Sequence, residues 1–341
     1  MNPTSTFVDN SKFPKKGQLG IVDKSFITEG EEGSRIAKVR IRENRVPAIG
    51  DKMASRAGQK GTIGMIIPEI DMPFTKDGLM REFYIYVPSG YSENISPVSV
   101  LFSLHGGGDY AETNMQYSGF KEHADTDTFI LIYPQGSYYE DKGTTGWNTE
   151  EGGVNDVAFI ESIIDWTGNN YNVQLNEVYA AGFSNGGFMA YHLACYLSAK
   201  IAAIAPVAGL MSNYTYNTCS PLHPTPLAHI HGLQDDIISI NGSDYHRPLE
   251  DNGDTTGVIT YWQDYNQCTE FSQEVLYDGE DNIGTFKKWT NCSNGADINY
   301  WIITNQGHEW NENDKGEAGS FDTSQTLWNF LKQFDMNGFK S

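Results

Sequence analysis

From Arg81 onward the chain alternates short apolar runs with amphipathic segments of helical period. REFYIYV (Arg81–Val87) alternates polar and apolar positions as a strand does, and Pro88-Ser89-Gly90 closes it. VSVLFSL (Val98–Leu104) and TFILIYP (Thr128–Pro134) are almost continuously apolar, the pattern of strands covered on both faces. DVAFIESIIDW (Asp156–Trp166) has helical spacing. EVYAAG (Glu177–Gly182) reads as a strand and Asn185–Leu197 as a helix, followed by strands in IAAIAPVAG (Ile201–Gly209) and PLAHIHG (Pro226–Gly232). A helix over GVITYWQDYNQ, β-like stretches near Glu274–Tyr277, Thr285–Trp289 and Ile298–Ile303, and an amphipathic helix over SQTLWNFLKQF complete the pattern. Strands alternating with helices predict an α/β fold, a mostly parallel central sheet flanked by helices.

Before Arg81 the texture differs. Short β-like runs (Ile36–Ile41, Thr62–Ile67) are separated by loop-like stretches rich in Gly, Lys and Arg. Charge follows the same divide. The first 80 residues hold 13 Lys and Arg against 10 Asp and Glu, a net of +3, so the other 261 residues carry −24 of the −21 total. The pattern predicts two pieces, a small β-like appendage over 1–79 and a larger domain over 80–341. An acidic surface repels phosphate, so nucleic acid is not an expected partner of the larger piece. No apolar run approaches the roughly 18 residues that span a bilayer, so no membrane partner is expected. The start, MNPTSTFVDNSKFPKKGQLG, lacks the apolar core of a signal peptide.

All four cysteines (Cys195, Cys219, Cys268, Cys292) lie in the larger piece, and none forms a C-x-x-C pair, so no metal site or cofactor is expected. Two disulfides are the expectation, with Cys268–Cys292 and Cys195–Cys219 the favoured pairings.

The sharpest chemical feature is Gly182-Phe183-Ser184-Asn185-Gly186-Gly187, set between a predicted strand and a predicted helix. A nucleophilic serine needs an exposed hydroxyl, and a tight strand-to-helix turn supplies it where flanking glycines let backbone approach backbone. The helix that starts there also aims free N–H groups and its positive end at a developing oxyanion. Leu104-His105-Gly106-Gly107-Gly108 follows an earlier strand and can bring a second N–H to the same oxygen. The donors expected are the N–H groups of Gly107, with Gly108 as the alternative, and of Asn185. A base and its orienting acid should follow in the order Ser, acid, His. His231-Gly232-Leu233-Gln234-Asp235-Asp236 ends a predicted strand, offering Asp235 with Asp236 as competitor. His308, in Gln306-Gly307-His308-Glu309-Trp310, is the late histidine on a loop beside a glycine.

Residues from about Arg81 onward resemble the esterase family that groups polyhydroxybutyrate depolymerases, feruloyl esterases and acetyl xylan esterases. The matching stretches are REFYIYVPSGY, LHGGG, GVNDVAFI, EVYAAGFSNGGFMAYHLAC, IAAIAPVAG, HGLQDDII and GHEW, in the family's order. The resemblance implies an α/β-hydrolase fold and a serine esterase with Ser184, Asp235 and His308 as triad. It also implies Trp147 and Trp310 near the substrate pocket, and an exported, extracellular or periplasmic protein acting on polyester or plant-cell-wall esters. A peptidase-like acyl hydrolase on the same fold is the alternative.

Residues 17–78 are similar to the hybrid-binding region of the second-largest subunit of DNA-directed RNA polymerase. There the lysines matching Lys52 and Lys60 lie near the RNA 3′ end, and Ala57 stands where cellular versions usually have His. The similarity stops after DMPFTKDG and brings no metal-binding aspartates, so this piece is not expected to polymerise RNA. A nucleic-acid-binding role through residues 17–78 is the competing functional reading.

Overall fold

In a computed structural model the chain divides into two compact units, Met1–Met72 and Pro73–Ser341. The structure describes residues 21–29, 35–42, 52–56, 59–62, 79–92, 96–278, 280–311 and 321–340.

The first unit contains two antiparallel pairs, Ile21–Glu29 with Arg35–Arg42, and Lys52–Arg56 with Gln59–Thr62. The apolar run Thr62–Ile67 lies outside the described residues beyond Thr62, as does Ala57. Ile21, Val22, Phe26, Ile27 and Val39 of the first pair are all exposed. A two-stranded pair of this kind is marginal in water by itself.

The second unit is built on nine strands: β1 (Phe83–Tyr86), β2 (Val98–Leu104), β3 (Ile130–Pro134), β4 (Val173–Phe183), β5 (Ala203–Val207), β6 (Leu227–Gly232), β7 (Glu270–Asp278), β8 (Asp281–Thr290) and β9 (Ile298–Ile303). They form one sheet in the order β7-β8-β9-β6-β5-β4-β2-β3-β1. The run from β9 to β3 is parallel, β1 is antiparallel at one edge, and β7 and β8 form an antiparallel hairpin at the other. Chain order reverses between β2 and β4, since β2 leads on to β3 on one side and β4 to β5 on the other, and the carboxyl ends of strands at such a point form a crevice.

Among the described residues, seven α-helices accompany the sheet: α1 (Ala111–Tyr117), α2 (Phe120–Asp127), α3 (Asp156–Asn170), α4 (Asn185–Tyr196), α5 (Asn213–Thr218), α6 (Val258–Asn266) and α7 (Thr323–Leu331). The continuous apolar strands serve both faces, because successive side chains point to opposite sides. On β2, Val100, Phe102 and Leu104 join a core with Phe159 and Ile163 of α3, Met189 of α4 and Trp262 of α6. Leu101 turns the other way, into a core with Phe120 of α2 and Leu327 and Trp328 of α7. Helices α1 and α2 were not foreseen from the sequence; the stretch is polar, and Gly119, at φ +69°, divides it into two short pieces.

Both expected disulfides form. Cys195–Cys219 joins the last turn of α4 to the residue capping α5, and Cys268–Cys292 closes the base of the β7–β8 hairpin. Each closes a separation of 24 residues, for which chain entropy gives about 3 kcal/mol of stabilisation. Replacing Cys268 and Cys292 together by Ser should therefore lower the unfolding free energy of the second unit by about 3 kcal/mol, read by denaturant titration. An unchanged midpoint would show that the hairpin is held by its ladder alone.

Candidate active site

The turn between β4 and α4 places Ser184 at φ 52°, ψ −117°, a region a non-glycine residue enters only when its surroundings compel it. The compulsion is close backbone contact. A Cβ on Gly182 would lie 2.2 Å from the carbonyl oxygen of Gly186, and one on Gly186 would lie 2.2 Å from that of Leu104. The Ser184 N–H donates to the Val207 carbonyl at 2.8 Å, tying the turn to β5.

Ser184 Oγ is 2.8 Å from His308 Nε2, and His308 Nδ1 is 2.8 Å from Asp235 Oδ2. The second carboxylate oxygen of Asp235 accepts from the N–H groups of Ile237 (3.0 Å) and Ile238 (2.7 Å). Burial alone would raise the Asp235 pKa. Hydrogen bonds from His231, His308 and the Ile238 N–H outweigh it and hold the group well below the usual carboxylate range. An ionised Asp235 only accepts, so His308 carries its proton on Nδ1 and turns the Nε2 lone pair toward the serine hydroxyl. Phe183 lies against the His308 ring, centroids 5.0 Å apart. Asp236, the competing carboxylate, is exposed and does not meet His308; it borders the cavity beside Ser184 instead.

The glycine loop after β2 lies against this turn. A Cβ on Gly106 would come within 3.5 Å of the Ser184 Cβ, and one on Gly107 within 3.5 Å of the Asn185 Cβ. The Gly108 N–H donates to the Thr145 carbonyl at 2.8 Å, so of the two candidate glycine donors it is Gly107 that remains available. Asn185 is the first residue of α4, where backbone N–H groups have no partner within the helix. His105 holds the loop from beneath. Its Nδ1 donates to the Gly106 carbonyl at 2.7 Å, and its Nε2 accepts from the Gly136 N–H at 2.8 Å.

A cavity of about 660 Å³ opens beside Ser184, lined in part by Trp147, Phe188, Ile238 and Tyr245. Trp147 forms part of its wall. Trp310 packs instead on Phe120 (centroids 5.6 Å apart) and Tyr117 (6.3 Å), and is not among the residues lining this cavity.

Two supports of the site were missed in the sequence. The Asn185 carboxamide clamps Trp147, accepting from its N–H at 2.6 Å and donating to its carbonyl at 3.2 Å. The second is a buried polar chain behind Asp235. His231 Nε2 lies 3.2 Å from Asp235 Oδ2 and 2.8 Å from the Ile238 carbonyl, which requires a proton on that nitrogen. His231 Nδ1 then accepts from His229 Nε2 at 3.1 Å, and His229 Nδ1 from the Tyr191 hydroxyl at 2.8 Å. The sequence signal was the i, i+2 spacing of His229 and His231 on one face of β6, adjacent to the acid.

With the geometry in place, the chain can be set beside known proteins. Residues 2–91 match the family described as RNA polymerase Rpb2, domain 6. The chain is 47% identical over 85 residues to DNA-directed RNA polymerase subunit Rpo2 of Saccharolobus solfataricus, a match covering 25% of this chain and 8% of that protein. It is also 26% identical over 265 residues to a bifunctional acetylxylan esterase/xylanase of Neocallimastix patriciarum, covering 77% of this chain and 35% of the relative. The chain thus spans about a third of the one relative and under a tenth of the other. Among solved structures, acetyl xylan esterase from Aspergillus awamori superposes with a TM-score of 0.53 at 15% identity, covering 73% of this chain and 93% of that one. The second unit has the α/β-hydrolase fold, and the N-terminal region is similar to the polymerase domain.

Burial lowers the pKa of several histidines of this unit, His229 strongly and His192 to about 4. A histidine that is neutral in the fold but protonated when unfolded makes stability rise with pH between its two pKa values. For His192 that window runs from about 4 to the ordinary 6.5, and it corresponds to about 3 kcal/mol. Its contribution is complete above pH 6.5 and lost as pH falls toward 4. Asp235 adds a further loss only below the usual carboxylate range. The melting temperature should therefore be flat above neutrality and fall steadily on acidification, with a shallower slope in His192→Gln. A melting temperature constant through that window would refute the assignment.

Proposed function

We propose that the second unit is a serine carboxylic-ester hydrolase, with Ser184 as nucleophile, His308 as general base and Asp235 as the group that orients the imidazole. The observation that carries this reading is the pair of 2.8 Å contacts joining Ser184 Oγ, His308 and Asp235 at a strained strand-to-helix turn. His308 Nε2 takes the hydroxyl proton as Oγ attacks the ester carbonyl, and the N–H groups of Gly107 and Asn185 stabilise the oxyanion. Collapse expels the alcohol, which receives the proton from His308, and leaves an acyl-serine. Water then adds with His308 again as base, and collapse releases the carboxylic acid and the free serine.

Three ester classes share these requirements: hydroxyalkanoate polyesters, feruloyl esters and acetylated polysaccharides. The acetylxylan esterase/xylanase relative and the superposed acetyl xylan esterase favour the last. The two disulfides suit an oxidising compartment, outside the cytosol. Among the described residues no helix is long and apolar enough to cross a membrane.

Ser184→Ala should lower turnover of p-nitrophenyl acetate by about five to six orders of magnitude and abolish labelling by a fluorophosphonate probe. Retained labelling or activity would sink the assignment. A panel of acetylated xylan, methyl ferulate and short hydroxyalkanoate oligomers then sorts the ester class.

We read residues 1–79 as a borrowed segment with no part in hydrolysis, since the residues assigned to chemistry all belong to the second unit. A chain lacking residues 1–72 should keep its activity on p-nitrophenyl acetate. A truncated chain that stays folded by circular dichroism yet loses turnover would show the segment to be integral. The polymerase-related reading instead predicts salt-dependent binding of an RNA–DNA hybrid, lost when Lys52 and Lys60 become Ala.

A further inference from the structure

The cavity beside Ser184 does not stand alone. It shares Asn148 and Glu150 as walls with a second cavity of about 420 Å³. It also shares Ser243 and His246 with a third of about 370 Å³. The three cavities thus adjoin through shared wall residues, and the one lined by the reactive serine borders both of the others. Each is near the size that accepts a small ligand, which for a linked series means successive units of a chain.

The lining shows what kind of chain. The second cavity is bordered by Tyr196 and Tyr214, whose rings are parallel to within 9° with centroids 6.4 Å apart, and by the polar groups of Asn148 and Glu150. Flat aromatic faces with hydroxyl tips, beside a carboxamide and a carboxylate, suit a ligand with apolar C–H faces and hydroxyl edges. The third cavity is bordered by three carboxamides, Asn213, Asn241 and Asn252, and exposes little apolar surface. A polyester chain presents ester carbonyls and methyl groups but no hydroxyl donors along its length, so it would leave these acceptors unpaired. Burial lowers the pKa of His192 and His246 in the outer cavities, so both rings are neutral at neutral pH, as suits an uncharged ligand.

The platform is rigidly placed. Tyr196 ends α4 next to Cys195, Tyr214 lies on α5, and the Cys195–Cys219 disulfide ties these two elements together. The Tyr196 hydroxyl is also hydrogen-bonded to Thr218. The wall shared with the central cavity is fixed as well. The Asn148 N–H donates to Asp156 at 2.7 Å, and Asp156 is paired at 2.7 Å with the buried Arg81. This accounts for the GVNDVAFI stretch, which the hydrolytic chemistry leaves unused.

We propose that Tyr196 and Tyr214 form a sugar-binding subsite next to the catalytic cavity, so that the enzyme acts on esters carried within a polysaccharide chain and grips the chain on both sides of the acylated unit. The inference rests on the ester-hydrolase reading but can fail separately from it.

The test compares Tyr196→Ala/Tyr214→Ala with the unaltered protein on p-nitrophenyl acetate and on acetylated xylo-oligosaccharides of increasing length. The unaltered protein should gain kcat/KM as the oligosaccharide lengthens. The double variant should keep its activity on p-nitrophenyl acetate, which also reports that it is folded, while its KM for the longer oligosaccharides rises about tenfold with kcat little changed. Tyr214→Phe, which keeps the ring, should behave as the unaltered protein. Equal losses on the small and long substrates, or no loss on either, would overturn the subsite. So would a length dependence seen with hydroxybutyrate oligomers and not with xylo-oligosaccharides. Should p-nitrophenyl acetate not be hydrolysed by the unaltered protein, the ester-hydrolase reading fails by itself. Calorimetric titration with deacetylated xylohexaose then decides the subsite: binding lost in the double variant upholds it, and no binding to the unaltered protein removes it.

Discussion

The close approach of backbone to backbone around the β4–α4 turn is the constraint on which the arrangement depends. Ser184 sits at positive φ because Gly182, Gly186 and Gly209 leave no room for side chains there; a Cβ on Gly209 would lie 2.4 Å from the Ser184 carbonyl oxygen. That crowding lifts the serine hydroxyl out of the sheet toward His308 and brings the first turn of α4 against the glycine loop after β2. Loosening any one of these contacts would move the hydroxyl, both proposed oxyanion donors and the wall of the cavity together. Strain of this kind, of order 1–3 kcal/mol, persists because the two cores of the second unit over-determine the turn.

Polar groups are treated in the same manner as packing. Behind Asp235 the chain His231, His229, Tyr191 passes from the site into the core with the hydrogen bonds running in one consistent direction. Such a buried series is favourable only when its members are paired, since an orphaned polar group in a low dielectric is costly. Its reward is positional: the carboxylate is held by a ring that itself cannot turn. Asn185 does the same on the other flank, tying Trp147 to α4, while the Trp147 indole donates to the His105 carbonyl at 2.9 Å. The proposed catalytic groups thus continue networks rooted in the interior, with Asp235 itself buried.

The two units contrast physically. The second buries both faces of the central strands of its nine-stranded sheet under helices and carries two disulfides. The described strands of the first form two separate pairs, one with its larger apolar side chains exposed. The contrast follows the sharp change in charge and texture near residue 80, and the polymerase relatives of the N-terminal region are far longer proteins.

Local pattern determined much of this protein. Continuous apolar runs marked β2 and β3 because both faces of those strands are buried, and glycine spacing marked the serine turn because only glycine tolerates the approach. Sequence alone also placed His308 and the acid loop at strand ends, and the number and spread of the cysteines allowed two disulfides without fixing which of the three pairings would form. What it could not decide were choices between neighbours. Asp235 and Asp236 differ by one position, and the N–H groups of Ile237 and Ile238 turn the first of them toward His308. Trp147 reaches the cavity and Trp310 does not, because the first is clamped by Asn185 and the second is drawn onto Phe120 and Tyr117. The Tyr196–Tyr214 platform was equally invisible, for its two rings come from different helices. Periodicity reports which face of an element is buried, but side chains meeting across elements depend on distances that exist only once the sheet and its helices are assembled.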